Sequence, residues 1–154
     1  MNDFQAARRV TYRCVYRMAF ATKNRKPLIK DSIGSYMEEL TKRLAVGYGG
    51  ELISFSIEED NIHFLISLPP QCDLSAIVRS IKTQLSKEVR KVPEMNEYIK
   101  KYISDMPLWS PSYFVETIGI ASDNAMREYI RSEPRNGHKR QYVKKSKYWN
   151  QFGV

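Results

Sequence analysis

The sequence predicts an α+β fold: a ferredoxin-like β-α-β-β-α-β sheet with helices on one face, then a further helix and a basic tail. Three observations predict it. Apolar and polar residues alternate at several separate places, as in half-buried strands. Between those places, apolar residues recur at helical spacing. The chain's 154 residues suit one core, and no fixed-period repeat or low-complexity linker divides them. Residues 1–133 therefore read as one domain and 134–154 as its tail.

From Val10 to Ala21 the alternation puts Val10, Tyr12, Cys14, Tyr16, Met18 and Phe20 on one face, with Arg13 and Arg17 on the other. Asp31 or Ser32 can cap a helix to about Val46, with Ile33, Tyr36, Met37, Leu40 and Leu44 as its buried stripe. Gly47, Gly49 and Gly50 break it. Two strands follow, over about 51–58 and 62–68, joined by a turn at Glu59-Asp60 and stopped by Pro69-Pro70. Asp73 or Ser75 starts a second helix to about Val92, buried along Leu74, Ile77, Val78, Ile81, Leu85 and Val89. Its other side carries Arg79, Lys82, Lys87, Arg90 and Lys91. A short helix is expected over 95–104 and a last strand over 112–118. Ser122 then caps a final helix that Pro134 ends.

A hydrophobic fraction of 42% with 27% charged residues describes a globular chain. No apolar run nears the roughly 20 residues that span a bilayer. Met1 to Arg9 lacks the apolar core of a signal peptide, so a cytoplasmic protein is expected. Cys14 and Cys72 form no CxxC and are expected to be buried and reduced. The net charge of +8 is concentrated in two places. Arg8, Arg9, Arg13, Arg17, Lys23, Arg25 and Lys26 surround the first strand. The tail carries Arg135, Lys139, Arg140, Lys144, Lys145 and Lys147, with Tyr142, Tyr148, Trp149 and Phe152 interleaved and no acidic residue. Phosphate attraction combined with base stacking favours that mixture for nucleic acid, DNA or RNA.

Asn61 and His63, two apart on a strand, project from one side and are within reach of a single cation or phosphate. His63 offers a ring nitrogen and Asn61 a carbonyl oxygen. On the final helix Tyr129 and Glu133, four apart, share a face with Met126. Glu133 at a helix C-terminus, where the macrodipole disfavours an anion, suggests a cation nearby.

Four passages together resemble the single-tyrosine transposases of bacterial insertion sequences, in the superfamily named for a histidine–hydrophobe–histidine motif; the REP-associated tyrosine transposases are similar too. They run from Tyr16 to Pro27, from Asp60 to Leu65, from Leu108 to Val115 through Trp109-Ser110, and at Tyr129-Ile130 with its downstream polar residue. The resemblance implies that Tyr129 attacks a phosphodiester of single-stranded DNA near a hairpin, leaving a 5′-phosphotyrosine and a free 3′-hydroxyl. It implies Mg²⁺ or Mn²⁺ held by Asn61, His63 and Glu133, and a homodimer. Phosphate contacts would fall to Arg13, Arg17, Lys23, Arg25, Lys26, Lys82, Arg135, Lys139 and Arg140. The family pattern has histidine where this chain has Asn61, and commonly glutamine where it has Glu133. A hard-ligand set of this kind still suits Mg²⁺. The alternative is a catalytically impaired, domesticated descendant that binds hairpin DNA or RNA as a regulator. A ferredoxin-like RNA-binding module is a third reading, and its glycine-aromatic consensus is absent from the strands.

Overall fold

The structure, a computed structural model, describes residues 5–7, 10–119 and 131. Its elements run β1 (Gln5–Ala7), β2 (Val10–Tyr12), β3 (Val15–Ala21), a 3-10 turn at Lys23–Arg25, α1 (Asp31–Gly47), β4 (Glu51–Glu58), β5 (Asn61–Ser67), α2 (Leu74–Lys91), α3 (Pro93–Ile103) and β6 (Phe114–Thr117). Four strands form one sheet in the order β4-β5-β3-β6, and every neighbouring pair is antiparallel. The first of them in the chain, β3, thus lies in the interior of the sheet. The α+β class and its layout are those read from the sequence. The final helix and the tail lie outside the described residues.

The expected strand over 10–21 is two strands. β5 is seven residues long and pairs with β3 from Val15 to Ala21, so the chain before Val15 has no ladder in the main sheet. Val10–Tyr12 pairs instead with Gln5–Ala7 in a separate two-stranded ribbon. The break at Arg13-Cys14 also shifts the faces: Val15 is buried, whereas Tyr12 and Cys14 are half-buried. Both cysteines are free and half-buried, not fully buried as expected.

Helix boundaries follow local chemistry. Lys30 is the N-cap of α1 and makes no side-chain cap bond, so Asp31 sits inside the first turn, where its charge suits the helix dipole. Asp73 does cap α2, its Oδ1 accepting from the Ala76 N–H at 3.1 Å. Pro93 opens α3 two residues before the expected start, at a position where a missing N–H costs nothing. The expected last strand over 112–118 narrows to Phe114–Thr117, and the edge of β3 beyond Ala19 is met instead by Ser110, whose N–H donates to the Ala21 carbonyl at 2.8 Å.

One core holds these elements together. Met18, Phe20, Ile62, Phe64 and Ile66 from the sheet meet Ile33 and Met37 of α1, Ile81, Leu85 and Val89 of α2, and Ile99 and Ile103 of α3. Phe64 stacks on Phe55 at 5.7 Å between ring centres and meets Phe20 edge-on at 5.5 Å. Each such side chain contributes roughly 1.5–3 kcal/mol by leaving water, a gain largely offset by lost chain entropy. Since α1, α2 and α3 all pack on this face, no helix among the described residues covers the sheet's other face.

Candidate active site

Side chains on the uncovered face follow from the register. One row across the sheet reads Ser56 (β4), His63 (β5), Ala19 (β3) and Phe114 (β6). The row toward one end reads Glu58, Asn61 and Ala21, and the row toward the other reads Ser54, Leu65, Arg17 and Glu116. Asn61 and His63 therefore share the open face, as expected from their spacing. Both are half-buried. Ala19 beside His63 places only a methyl group on the floor of this face.

Asn61 is held at both ends of a short network. Its Nδ2 donates to Asp60 Oδ1 at 2.8 Å and to Glu58 Oε2 at 3.1 Å. With the amide N–H groups committed to carboxylates, the carbonyl oxygen is the part of Asn61 left to serve as a ligand. Arg25 Nε donates in turn to Asp60 Oδ2 at 2.9 Å. The Asn61 hydrogen bond, with Arg25 reinforcing it, holds the Asp60 carboxyl below the usual carboxylate range. Sequence reasoning missed Glu58 and Asp60 as parts of this site. The signal was present: a two-residue turn at 59–60 places Glu58 opposite Asn61 in an antiparallel pair.

The basic turn is pinned to the same end of the sheet. Thr22 N–H donates to the Asp60 carbonyl at 2.9 Å, and its hydroxyl donates to the Lys26 carbonyl at 2.7 Å. Lys23 N–H donates to the Leu108 carbonyl at 2.8 Å. Asn24 and Arg25 both have positive φ, 54° and 55°, an uncommon backbone for side chains other than glycine. That conformation brings the Arg25 guanidinium onto Asp60 and leaves Arg25 and Lys26 exposed, with Lys23 half-buried.

The remaining basic candidates are not equivalent. Arg17 is exposed and pairs across the strands with Glu116 at 2.9 Å. Arg13 lies half-buried in the β2–β3 break. Lys82 donates to the Ser110 and Ser112 carbonyls at 2.6 and 3.2 Å, and burial pushes its ammonium below the ordinary lysine value. Arg90 similarly donates to the carbonyls of Ser104 and Met106. These two α2 cations therefore clamp the segment that leads into β6. Tyr129, Glu133, Arg135, Lys139 and Arg140 lie outside the described residues.

Among the described residues no three His, Cys, Asp or Glu side chains converge on one point as a metal centre. One imidazole and one amide oxygen on a shared face make two ligands for a hard divalent cation, which commonly keeps several waters. That donor set fits Mg²⁺ or Mn²⁺ in kind, with further ligands to come from elsewhere.

The chain is similar to known proteins over most of its length. The family model described as "Transposase IS200 like" matches residues 10–133. The ISDra2 transposase TnpA of Deinococcus radiodurans is 21% identical over 131 residues, which span 85% of this chain and 91% of that protein. The crystal structure of a Deinococcus radiodurans R1 protein described as a transposase superposes with a TM-score of 0.66 at 23% identity, covering 82% of this chain and 95% of the other. That likeness is one of fold. The REP-associated tyrosine transposase, solved bound to a REP hairpin, overlaps more weakly: TM-score 0.49 and 14% identity over 83% of this chain and 69% of that one.

Proposed function

Because the chain belongs to the IS200-like transposase family, we propose that it cuts and rejoins single-stranded DNA at hairpin-bearing ends through Tyr129. The observation that carries this reading is the shared placement of His63 and Asn61 on the open sheet face, beside the bare Ala19 and the cationic turn. In the cutting step the Tyr129 phenol gives up its proton and its oxygen bonds to phosphorus. The bond from phosphorus to the 3′-oxygen breaks, and that oxygen takes up a proton. One phosphodiester is exchanged for another, so rejoining needs no nucleotide hydrolysis.

His63, the Asn61 carbonyl and Glu133 would hold a divalent cation, Mg²⁺ or Mn²⁺, whose charge polarises the scissile phosphate. Asp60 and Glu58 keep the Asn61 oxygen turned outward, and Arg25 steadies Asp60. Lys23, Arg25 and Lys26 attract the backbone at that end of the sheet, with Arg13, Arg17, Arg135, Lys139 and Arg140 extending the field. The active unit in this reading is a homodimer in the cytoplasm, acting on bacterial DNA. No described helix is long and apolar enough to cross a membrane.

Incubation with a labelled single-stranded hairpin oligonucleotide tests the proposal. The expected result is a denaturant-stable protein–DNA adduct that needs Mn²⁺ and disappears in Tyr129→Phe. Binding without an adduct under every metal condition would sink the catalytic reading. It would support the second one, a hairpin-binding regulator, which the replacement of an imidazole by Asn61 favours. In that case Asn61→His should create cleavage absent from the native chain.

A further inference from the structure

A cavity of about 660 Å³ opens between α2 and residues 107–113, away from the sheet face that carries His63. All its charged lining residues among those described are cations: Arg79, Lys82 and Lys87. They have separate duties. Two of the three N–H donors of Lys82 go to the Ser110 and Ser112 carbonyls, so it helps to build the wall. Arg79 and Lys87 stand exposed on the rim, and among the described residues neither forms an ion pair. Eight positions apart on one helix, they are separated by about 12 Å along its axis, enough to meet more than one phosphate of an extended strand.

The aromatic residues also divide the work. Trp109 is 5% exposed and its Nε1 donates to the Lys82 carbonyl at 3.1 Å, so it is a fixed part of the wall. Tyr113 is 46% exposed, although it is a large ring in a structured segment. The Lys82 ammonium lies 5.9 Å from its ring centre, within cation–π range, which steadies the ring. A steadied, exposed aromatic beside two cations that form no ion pair among the described residues is the combination that takes a base and its phosphates. Inside a duplex both faces of each base are covered, so a base of a single-stranded extension is the one most open to such a ring.

We propose that this groove binds an unpaired nucleotide of the single strand that flanks a DNA hairpin, its base stacked on Tyr113 and the neighbouring phosphates on Arg79 and Lys87. The proposal rests on the DNA-processing reading above and adds to it a second contact area. Tyr113 directly precedes β6, whose neighbour β3 is in turn the neighbour of β5, so a strand leaving the groove needs to cross only this edge to approach His63.

Fluorescence anisotropy on the full chain, with a labelled hairpin bearing a single-stranded dT extension and the same hairpin blunt-ended, tests it. Tyr113→Ala should weaken binding of the extended hairpin about tenfold, as loss of one base stack does, while Tyr113→Phe retains it. The blunt hairpin should be little affected. Arg79→Gln with Lys87→Gln should lower the slope of log affinity against log salt by about 1.4, two single-strand phosphates' worth. A 5-iodouracil placed in the extension should photo-crosslink to Tyr113. Unchanged binding of the extended hairpin in both variants overturns the proposal, as does an equal loss on the blunt one. Displacement of the oligonucleotide by polyglutamate at matched charge would also overturn it. The adduct assay remains a separate readout. An adduct formed normally by Tyr113→Ala with unaltered affinity removes the groove alone, whereas a groove that behaves as expected in a chain forming no adduct removes only the cleavage.

Discussion

At Lys82, charge does structural work that a count of basic residues cannot reveal. The helical stripe placed it with Arg79, Lys87, Arg90 and Lys91 on one outer face, and that placement was legible. Its partners are carbonyls some 30 positions away in sequence, which no local pattern discloses. Burial holds its ammonium below the ordinary lysine value of 10.5. As pH rises the folded chain loses this proton first, so between the folded and unfolded values the unfolded chain binds more protons and stability increases. Urea melts should therefore show native stability, relative to Lys82→Met, constant near neutral pH and rising as pH climbs toward 10.5. Asn61 offers the opposite lesson. Its pairing with His63 could be read from a two-residue spacing, but the carboxylates that orient it required the register of β4 against β5.

Among the elements, the α1–β4 connection shows how two glycines that read alike from sequence differ in practice. Gly47 is the last residue of α1, and a Cβ there would meet nothing within 4 Å. At Gly50 a Cβ would collide with the Ser67 backbone carbonyl oxygen, a contact that only movement of the backbone could relieve. Gly47→Ala should stabilise the protein by about 0.5–1 kcal/mol through the unfolded chain's lost freedom. Gly50→Ala should destabilise it by about 1–3 kcal/mol. Thermal or urea denaturation of the two variants checks both signs. Helices α1, α2 and α3 were legible because their apolar stripes and breakers are local. The division of the first strand was not, because it depends on where β5, some forty residues later, runs out.

For the whole molecule, the order β4-β5-β3-β6 follows from the split β-α-β-β-α-β reading, and this is what brings Arg17, Ala19, His63 and Phe114 onto one face. Such a sheet closes late. β3 pairs with β6 across about a hundred residues of chain, a contact whose loop entropy must be met before it gives any return. A chain ending at Pro111 would leave one edge of β3 without a strand. It should aggregate, while a chain ending at Gly119 should elute as a soluble species with a cooperative thermal transition. Size-exclusion chromatography and thermal melts of the two fragments test this.

The same topology acts as a safeguard. The strand synthesised near the start acquires its last neighbour only when the ribosome has passed residue 117, and the residue proposed to attack the genome follows that neighbour. A product terminated before residue 117 would thus have neither a finished scaffold nor the proposed blade, and a nonsense mutation in that stretch would silence the gene outright.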